Sequence, residues 1–249
     1  MSETTQAVTY ANYLKLDELL SLQQPRSSGP EHDEMLFIVI HQVYELWFKQ
    51  LLHELDRVKA LLEQDESHRA QHTLKRILTI LKVMVAQLDI LETMTPLEFL
   101  SFRARLEAAS GFQSDQFRQI EFVLGLKSES AINRFPEGGR ARAALERRYR
   151  ESTLWDAFLQ YLGREGYPAA AVPQTLIDIY RNDPKNAELC ERLVDLDEGI
   201  QEWRYRHVKM VERTIGARPG TGGSAGAAYL RETVGRPIFP DLWAIRSQL

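Results

Sequence analysis

Apolar residues recur at three- and four-residue spacing along most of the chain, and strict alternation of apolar and polar residues is scarce. Because one face of an α-helix repeats every 3.6 residues, this pattern predicts an all-α fold. The longest apolar stripes predict helices over residues 34–63, 68–93 and 186–215. Asp33 is predicted to cap the first of these helices, and Gly216 to end the last.

Shorter helices are marked by their capping residues. The segment 95–98 (TPLE) matches a capping box with proline at the first helical position, so a helix is predicted to begin there. Gly111 is predicted to interrupt it. Ser114 or Asp115 is predicted to cap a further helix that ends near Gly125, since glycine suits a helix C-terminus.

The middle of the chain has a weaker pattern. Prolines and glycines divide residues 126–185 into short helical stretches. A chain of 249 residues with 44% hydrophobic composition buries one substantial core, so residues 1–249 are predicted to form a single domain. Within it, residues from about 128 to 185 are predicted to form a small inserted helical subdomain.

Composition narrows the possible partners and the compartment. The net charge is −4, which gives no general attraction for nucleic acid or an anionic membrane. The one cysteine, Cys190, excludes an intrachain disulfide and any site built from several thiolates, and it fits a reducing compartment. With a polar N-terminus and no run of 18 apolar residues, the chain is predicted to be soluble and cytoplasmic.

Two histidines, His41 and His207, lie on the apolar faces of predicted long helices. A single histidine on an apolar face is usually a core residue whose imidazole has a hydrogen-bond partner in the protein. Two histidines that face a common cavity would instead favour a bound cofactor. Haem is the natural candidate, because it is a large apolar disc that needs one axial donor. The motif Cys-x-x-Cys-His is absent, so covalent attachment is excluded. The periodicity does not tell which histidine would bind iron.

Two further features can be interpreted either as parts of a ligand site or as structural features without a function. Arg103 could capture a carboxylate through its guanidinium, or it could be a solvated surface residue beside Arg105. The glycine-rich loop after Gly216 offers backbone N–H groups and the hydroxyls of Thr221 and Ser224 to a ligand, or it is a mobile linker. It lacks the Gly-Lys-Ser/Thr ending of a phosphate-binding loop.

Several separated strings, in the same order, resemble the tryptophan 2,3-dioxygenase family. They are 10–17 (YANYLKLD), 32–50 (HDEMLFIVIHQVYELWFKQ), 94–99 (MTPLEF), 102–103 (FR), 110–114 (SGFQS), 203–207 (WRYRH) and 220–224 (GTGGS). The resemblance covers about 9–127 and 186–243. Ordered agreement across separated strings is far more specific than any one of them.

The resemblance implies a haem-binding helical bundle that forms a homotetramer with one haem b per subunit. In this family ferrous haem and O2 convert L-tryptophan to N-formylkynurenine, the first step of tryptophan degradation by the kynurenine pathway. One alternative is a pathway-specific haem oxygenase that accepts a modified tryptophan or inserts one oxygen atom. A non-catalytic haem or tryptophan sensor, and a helical bundle without a cofactor, are the others.

The resemblance also implies a role for each matching residue. His207 is the axial ligand of the haem iron, and His41 accepts a hydrogen bond from the indole N–H. Arg103 binds the substrate carboxylate, and Thr221 meets its ammonium and carboxylate groups. The remaining residues surround the two ligands: Ser110, Gly111 and Trp203 line the haem pocket, Phe37, Phe99 and Leu106 wall the indole, and Tyr10, Tyr13 and Leu14 complete a neighbouring subunit's pocket. Phe99 stands where some bacterial members have tyrosine.

Overall fold

The structure is a computed structural model that describes residues 7–222 and 226–249, with the side chains of Ala169 and Tyr229 left out. Every regular element in these residues is helical, which confirms the predicted all-α fold. The α-helices are α1 Tyr10–Leu14, α2 Leu16–Leu20, α3 Asp33–Glu63, α4 Ser67–Leu91, α5 Pro96–Arg103, α6 Asp115–Val123, α7 Glu129–Ile132, α8 Arg140–Arg150, α9 Leu154–Arg164, α10 Val172–Asn182, α11 Pro184–Ile215, α12 Ala227–Val234 and α13 Pro240–Ala244. Single 3-10 turns occur at Ala104–Leu106, Gly111–Gln113, Ala169–Ala171 and Arg246–Gln248.

The starts of the two longest helices differ from prediction. Asp33 does not cap α3: His32 precedes the helix with helical dihedral angles and no side-chain cap, and Asp33 is the first helical residue. A carboxylate in the first turn still interacts favourably with the helix dipole. Helix α11 begins at Pro184, capped by the side chain of Asp183, because proline tolerates the first helical position.

The capping box at Thr95 is confirmed. The hydroxyl of Thr95 accepts a hydrogen bond from the backbone N–H of Glu98, and the Glu98 carboxylate accepts one from the N–H of Thr95 at 2.6 Å. The helix ends at Arg103, however, well before Gly111. The backbone then tightens into the 3-10 turn Ala104–Leu106, and Glu107 after it has a φ angle of 51°, which no α-helix contains. Ser114 caps α6 as predicted.

Helix α4 packs against both α3 and α11, and the three helices form the main core. Leu55, Leu81 and Leu193 from these three helices are almost completely buried. A Cβ atom at Gly199 would lie 3.2 Å from a methyl carbon of Leu81, so the glycine permits the close approach of α11 to α4. None of the helices in the described part of the chain is both long and apolar enough to cross a membrane.

The middle segment contributes to two groups of buried side chains. Phe158 of α9 and Leu176 of α10 belong to the main core. Ile132 of α7 and Leu145 of α8 form a smaller cluster with Phe122 of α6. The division of the chain into one domain and an inserted subdomain stays a prediction.

Candidate active site

A cavity of about 250 Å³ lies between α3 and α11 and is bounded by α5, α6 and α12. The turns after α5 and the described part of the glycine-rich loop also line it. The walls are mainly apolar and aromatic. The predicted site residues that line this cavity are Phe37, His41, Phe99, Arg103, Leu106, Ser110, Gly111, Trp203, His207 and Thr221.

His41 projects from α3 with a defined hydrogen-bonding state. Its Nδ1 atom lies 2.7 Å from the carbonyl oxygen of Phe37. Because a carbonyl only accepts hydrogen bonds, Nδ1 carries the proton, and Nε2 of the neutral ring is an acceptor. Burial lowers the pKa of His41, although the Phe37 carbonyl and the Glu45 carboxylate act in the opposite direction. The ring is therefore neutral at pH 7 and presents an acceptor.

His207 projects from α11 into the same cavity. Burial, with a smaller contribution from nearby His41, lowers its pKa to about 4. Neither ring nitrogen has a hydrogen-bond partner within the described residues. The ring is partly buried and lines the cavity, so its nitrogens stay available to a ligand there. A neutral imidazole with a free lone pair is what an axial metal ligand requires.

These features fit haem. The cavity offers one unpartnered imidazole among apolar and aromatic walls, and haem is an apolar disc that takes one axial nitrogen. The stacked indole of Trp203 lies beside that imidazole.

Arg103 is the last residue of α5 and lines the cavity while partly buried. Its Nη2 atom donates to the carbonyl of Pro219 at 2.7 Å, and its Nε atom is buried without a partner. No carboxylate in the described part of the chain pairs with it. The interpretation of Arg103 as a solvated surface residue is therefore wrong. Donors remain available for an anionic group of a ligand.

The described part of the glycine-rich loop lies against the turn that precedes Gly111. The hydroxyl of Thr221 donates to the carbonyl of Ala109 at 2.6 Å. A Cβ atom at Gly222 would lie 2.7 Å from Cβ of Ser110, so only glycine allows this approach. Ser224, the other predicted hydroxyl, lies outside the described residues.

The N-terminal residues Tyr10, Tyr13 and Leu14 lie elsewhere. They belong to α1 and do not line this chain's cavity. Both tyrosines are 76% exposed, which is high for aromatic side chains.

A buried charged cluster at the cavity was not predicted. Glu121 of α6 pairs with Arg118 at 2.5 Å and with Arg204 of α11 at 3.3 Å. Each side chain is at most 13% exposed, so the cluster places one net positive charge at the cavity wall. Arg118 and Glu121 are three residues apart, and in the sequence such a pair is typical of any exposed helix face.

The sequence predicts only some of the aromatic residues that line the cavity wall. Tyr44 and Phe48 continue the apolar stripe of His41, and spacing alone places them beside it. The Tyr44 hydroxyl donates to the carbonyl of Met84 at 2.6 Å, and burial raises its pKa to about 12. Phe117 reaches the same wall from α6, and no sequence signal distinguished it from an ordinary core residue.

The fold and the cavity define an all-helical protein with two neutral histidines on opposite long helices around one ligand site. The sequence profile of the family Tryptophan 2,3-dioxygenase matches residues 1–166 and 164–249. This chain belongs to the tryptophan 2,3-dioxygenase family, which confirms the predicted family.

Similar proteins carry the same name. The chain is 59% identical to the tryptophan 2,3-dioxygenase of Herpetosiphon aurantiacus, over 98% of this chain and 100% of that protein. It is 55% identical to the one from Anaeromyxobacter sp. (strain K), over 98% and 97% of the two chains. It is 43% identical to the one from Caulobacter vibrioides, over 98% and 99%.

Proposed function

We propose that this protein is an enzyme that opens the indole ring of L-tryptophan with O2 to give N-formylkynurenine, with one haem b in each subunit. The observation that carries the proposal is the shared cavity of His41 and His207 with Arg103 at its edge, a guanidinium that no carboxylate of the described residues pairs with. The names of the relatives support the same activity. Haem, when bound, supplies the iron that activates O2.

His207 would hold the haem iron, because neither nitrogen of its neutral ring has a hydrogen-bond partner among residues 7–222 and 226–249. Arg118 is the cation that we expect near the haem carboxylates. Its side chain lines the cavity, and only one of its nitrogens, Nη1, is engaged by Glu121. Ser110 and Gly111 would lie beside the haem, because both residues line the same cavity as His207.

His41 would orient the indole. The N–H of indole is only a donor, and the hydrogen bond from Nδ1 of His41 to the carbonyl of Phe37 leaves Nε2 as an acceptor. The lowered pKa of His41 keeps that acceptor unprotonated at pH 7. We assign His41 the role of holding the indole in position, ahead of any role as a base.

Arg103 and Thr221 would hold the amino-acid end of the substrate. The guanidinium has unused donors for the carboxylate. The Thr221 hydroxyl, while donating to Ala109, can still accept a hydrogen bond from the ammonium group. Fixing both ends of the substrate makes its reaction with O2 effectively intramolecular.

Three apolar side chains would form the indole slot. The rings of Phe37 and Phe99 are 5.8 Å apart, and Leu106 lies on the same cavity wall. The Phe37 ring also lies 4.0 Å from the imidazole of His41. This arrangement suits a flat aromatic group with one polar edge.

Product analysis tests the proposal. Ferrous, haem-loaded protein with L-tryptophan and isotopically labelled O2 is expected to give N-formylkynurenine that carries both labelled atoms. A product with one labelled atom, or turnover only with a substituted indole, would contradict the proposed reaction. Binding of haem and tryptophan without turnover would instead indicate a sensor.

The close approach of Gly222 to Ser110 predicts how one added methyl group in the glycine-rich loop changes activity. Gly222→Ala places a Cβ atom 2.7 Å from Cβ of Ser110, so the loop must move away from the cavity. We expect kcat/KM for L-tryptophan to fall while haem affinity is kept, because an open loop admits water and releases Thr221. Steady-state kinetics and a haem titration measure the two effects.

The matched control is Gly235→Ala, since a Cβ atom there meets nothing within 4 Å. The double variant Gly222→Ala/Ser110→Gly removes the colliding carbon and is expected to recover part of the lost activity. If Gly222→Ala and Gly235→Ala behave alike, contact between the loop and Ser110 does not matter for turnover.

We also propose a homotetramer in which Tyr10, Tyr13 and Leu14 complete a neighbouring subunit's pocket. Their exposure in a single chain supports this role, as does the capping box that forms α1, in which Asn12 accepts a hydrogen bond from the N–H of Thr9 at 2.8 Å. Light scattering on the haem-loaded protein gives the mass of the assembly. A monomer with full activity would contradict the proposal.

A further inference from the structure

Trp203 stacks on His207. The two residues are four positions apart on α11, and in a helix this spacing places side chains one above the other. Their ring planes differ by 3°, and the ring centroids are 5.2 Å apart. At this separation the rings are parallel and offset, which is a preferred geometry for aromatic pairs.

The indole of Trp203 is itself held in place. It makes edge contacts with Tyr44 and Phe48, at 6.3 Å and 6.2 Å between centroids, and a tilted contact with Phe117 at 5.0 Å. Trp203 is 7% exposed. Three aromatic rings from α3 and α6 therefore keep the indole in one orientation.

His207 lacks the usual means of fixing its ring. A histidine that binds a metal generally donates its second ring N–H to a carboxylate or a carbonyl, and this bond sets the orientation of the imidazole plane. No such protein group pairs with His207 in the described ranges 7–222 and 226–249. The stack with Trp203 is the one ring contact described for it.

We infer that Trp203 is a positioning residue that sets the orientation of the His207 imidazole plane through stacking, in place of a hydrogen bond to protein. This inference rests on the proposed role of His207 as the axial ligand of haem. The tilt of the imidazole plane sets the direction in which the ring-nitrogen lone pair of His207 points within the cavity. Trp203 would thus tune the iron site through contact with the ligand's face.

The test compares Trp203→Leu with Trp203→Phe. Leucine removes the stacked ring, and loss of a group that orients a metal ligand typically weakens metal affinity by roughly 10–100-fold. We expect a loss of that order in a haem titration of Trp203→Leu. We also expect the electron paramagnetic resonance spectrum of its ferric haem form to broaden, because the imidazole adopts several orientations. Phenylalanine keeps an aromatic face and should recover a narrow spectrum.

Phe99→Leu is the matched control, read by the same two haem measurements without substrate. Phe99 also lines the cavity, but its ring contacts are with Phe37 and Phe102, and none among the described residues joins it to Trp203 or His207. If Trp203→Leu and Phe99→Leu give the same haem affinity and equally narrow spectra, Trp203 is only part of the wall and the inference is wrong. Circular dichroism checks that each variant is folded.

A second experiment avoids the risk that Trp203→Leu misfolds. His207→Gly with added free imidazole leaves the indole in place and supplies an untethered ligand. A narrow spectrum, broadened again in His207→Gly/Phe117→Leu, would support orientation by the stack, because Phe117 helps to hold Trp203. A broad spectrum in His207→Gly itself would overturn it. If His207→Ala retains wild-type haem affinity, the proposed ligand fails, and that outcome is separate from a failure of the stack.

Discussion

His207→Ala is expected to abolish haem binding and therefore turnover. The alanine variant keeps the apolar walls of the cavity but loses the one imidazole that we assign to the iron. The folded apoprotein should keep nearly the same stability, because His207 is only partly buried at the cavity and its removal breaks no hydrogen bond to the described residues. A haem titration followed by the Soret band, together with denaturant unfolding of the apoprotein, separates these two effects.

His41→Ala is the matched control for that experiment. It removes the other cavity histidine, which makes a hydrogen bond to the carbonyl of Phe37. We expect His41→Ala to keep haem and to lose efficiency with L-tryptophan. If His41→Ala loses haem while His207→Ala keeps it, the two roles are reversed. If His207→Ala lowers the free energy of unfolding by several kcal/mol, His207 is a core residue.

Much of the fold followed from local properties of the sequence. Helix formation and the position of each apolar face depend on residues three and four apart, so the stripe with His41 and the stripe with His207 were predictable. The capping box at Thr95 is equally local. The N-terminus of α3 was predicted one residue late, since a carboxylate at Asp33 suits both the cap and the first turn.

The parts of the site that sequence reasoning missed depend on contacts between distant segments. Glu121 meets Arg204 only because α6 packs beside α11, and no spacing in the sequence indicates this. The chain turns away after α5 at Glu107, beyond the 3-10 turn Ala104–Leu106, and glutamate has no strong preference for positive φ that would have indicated this. The resemblance supplied roles for Arg103 and Thr221, and those roles stay predictions.

Arg103→Met is expected to lower kcat/KM for L-tryptophan by roughly ten- to a hundredfold, because a hydrogen bond to a charged group typically contributes about 1.5–3 kcal/mol. The guanidinium is partly buried at the cavity, so the carboxylate of a bound substrate would lose its partner and stay poorly solvated. Arg103→Lys restores the charge without the two-pronged geometry and should recover only part of the loss. Steady-state kinetics at constant haem occupancy measure both.

Arg103 would contact both the substrate carboxylate and the carbonyl of Pro219 in the loop. Tryptamine separates these two contacts, since it carries the indole and the amine but no carboxylate. The bond from Arg103 to the carbonyl of Pro219 holds the loop whichever substrate is bound. If Arg103 acts on the carboxylate, Arg103→Met should penalise L-tryptophan far more than tryptamine, and the tryptamine penalty measures the loop contribution alone. Equal penalties would mean that Arg103 acts only as a loop anchor. The exposed neighbour Arg105, changed to methionine, should leave both substrates unaffected and thereby exclude a general effect of lost positive charge.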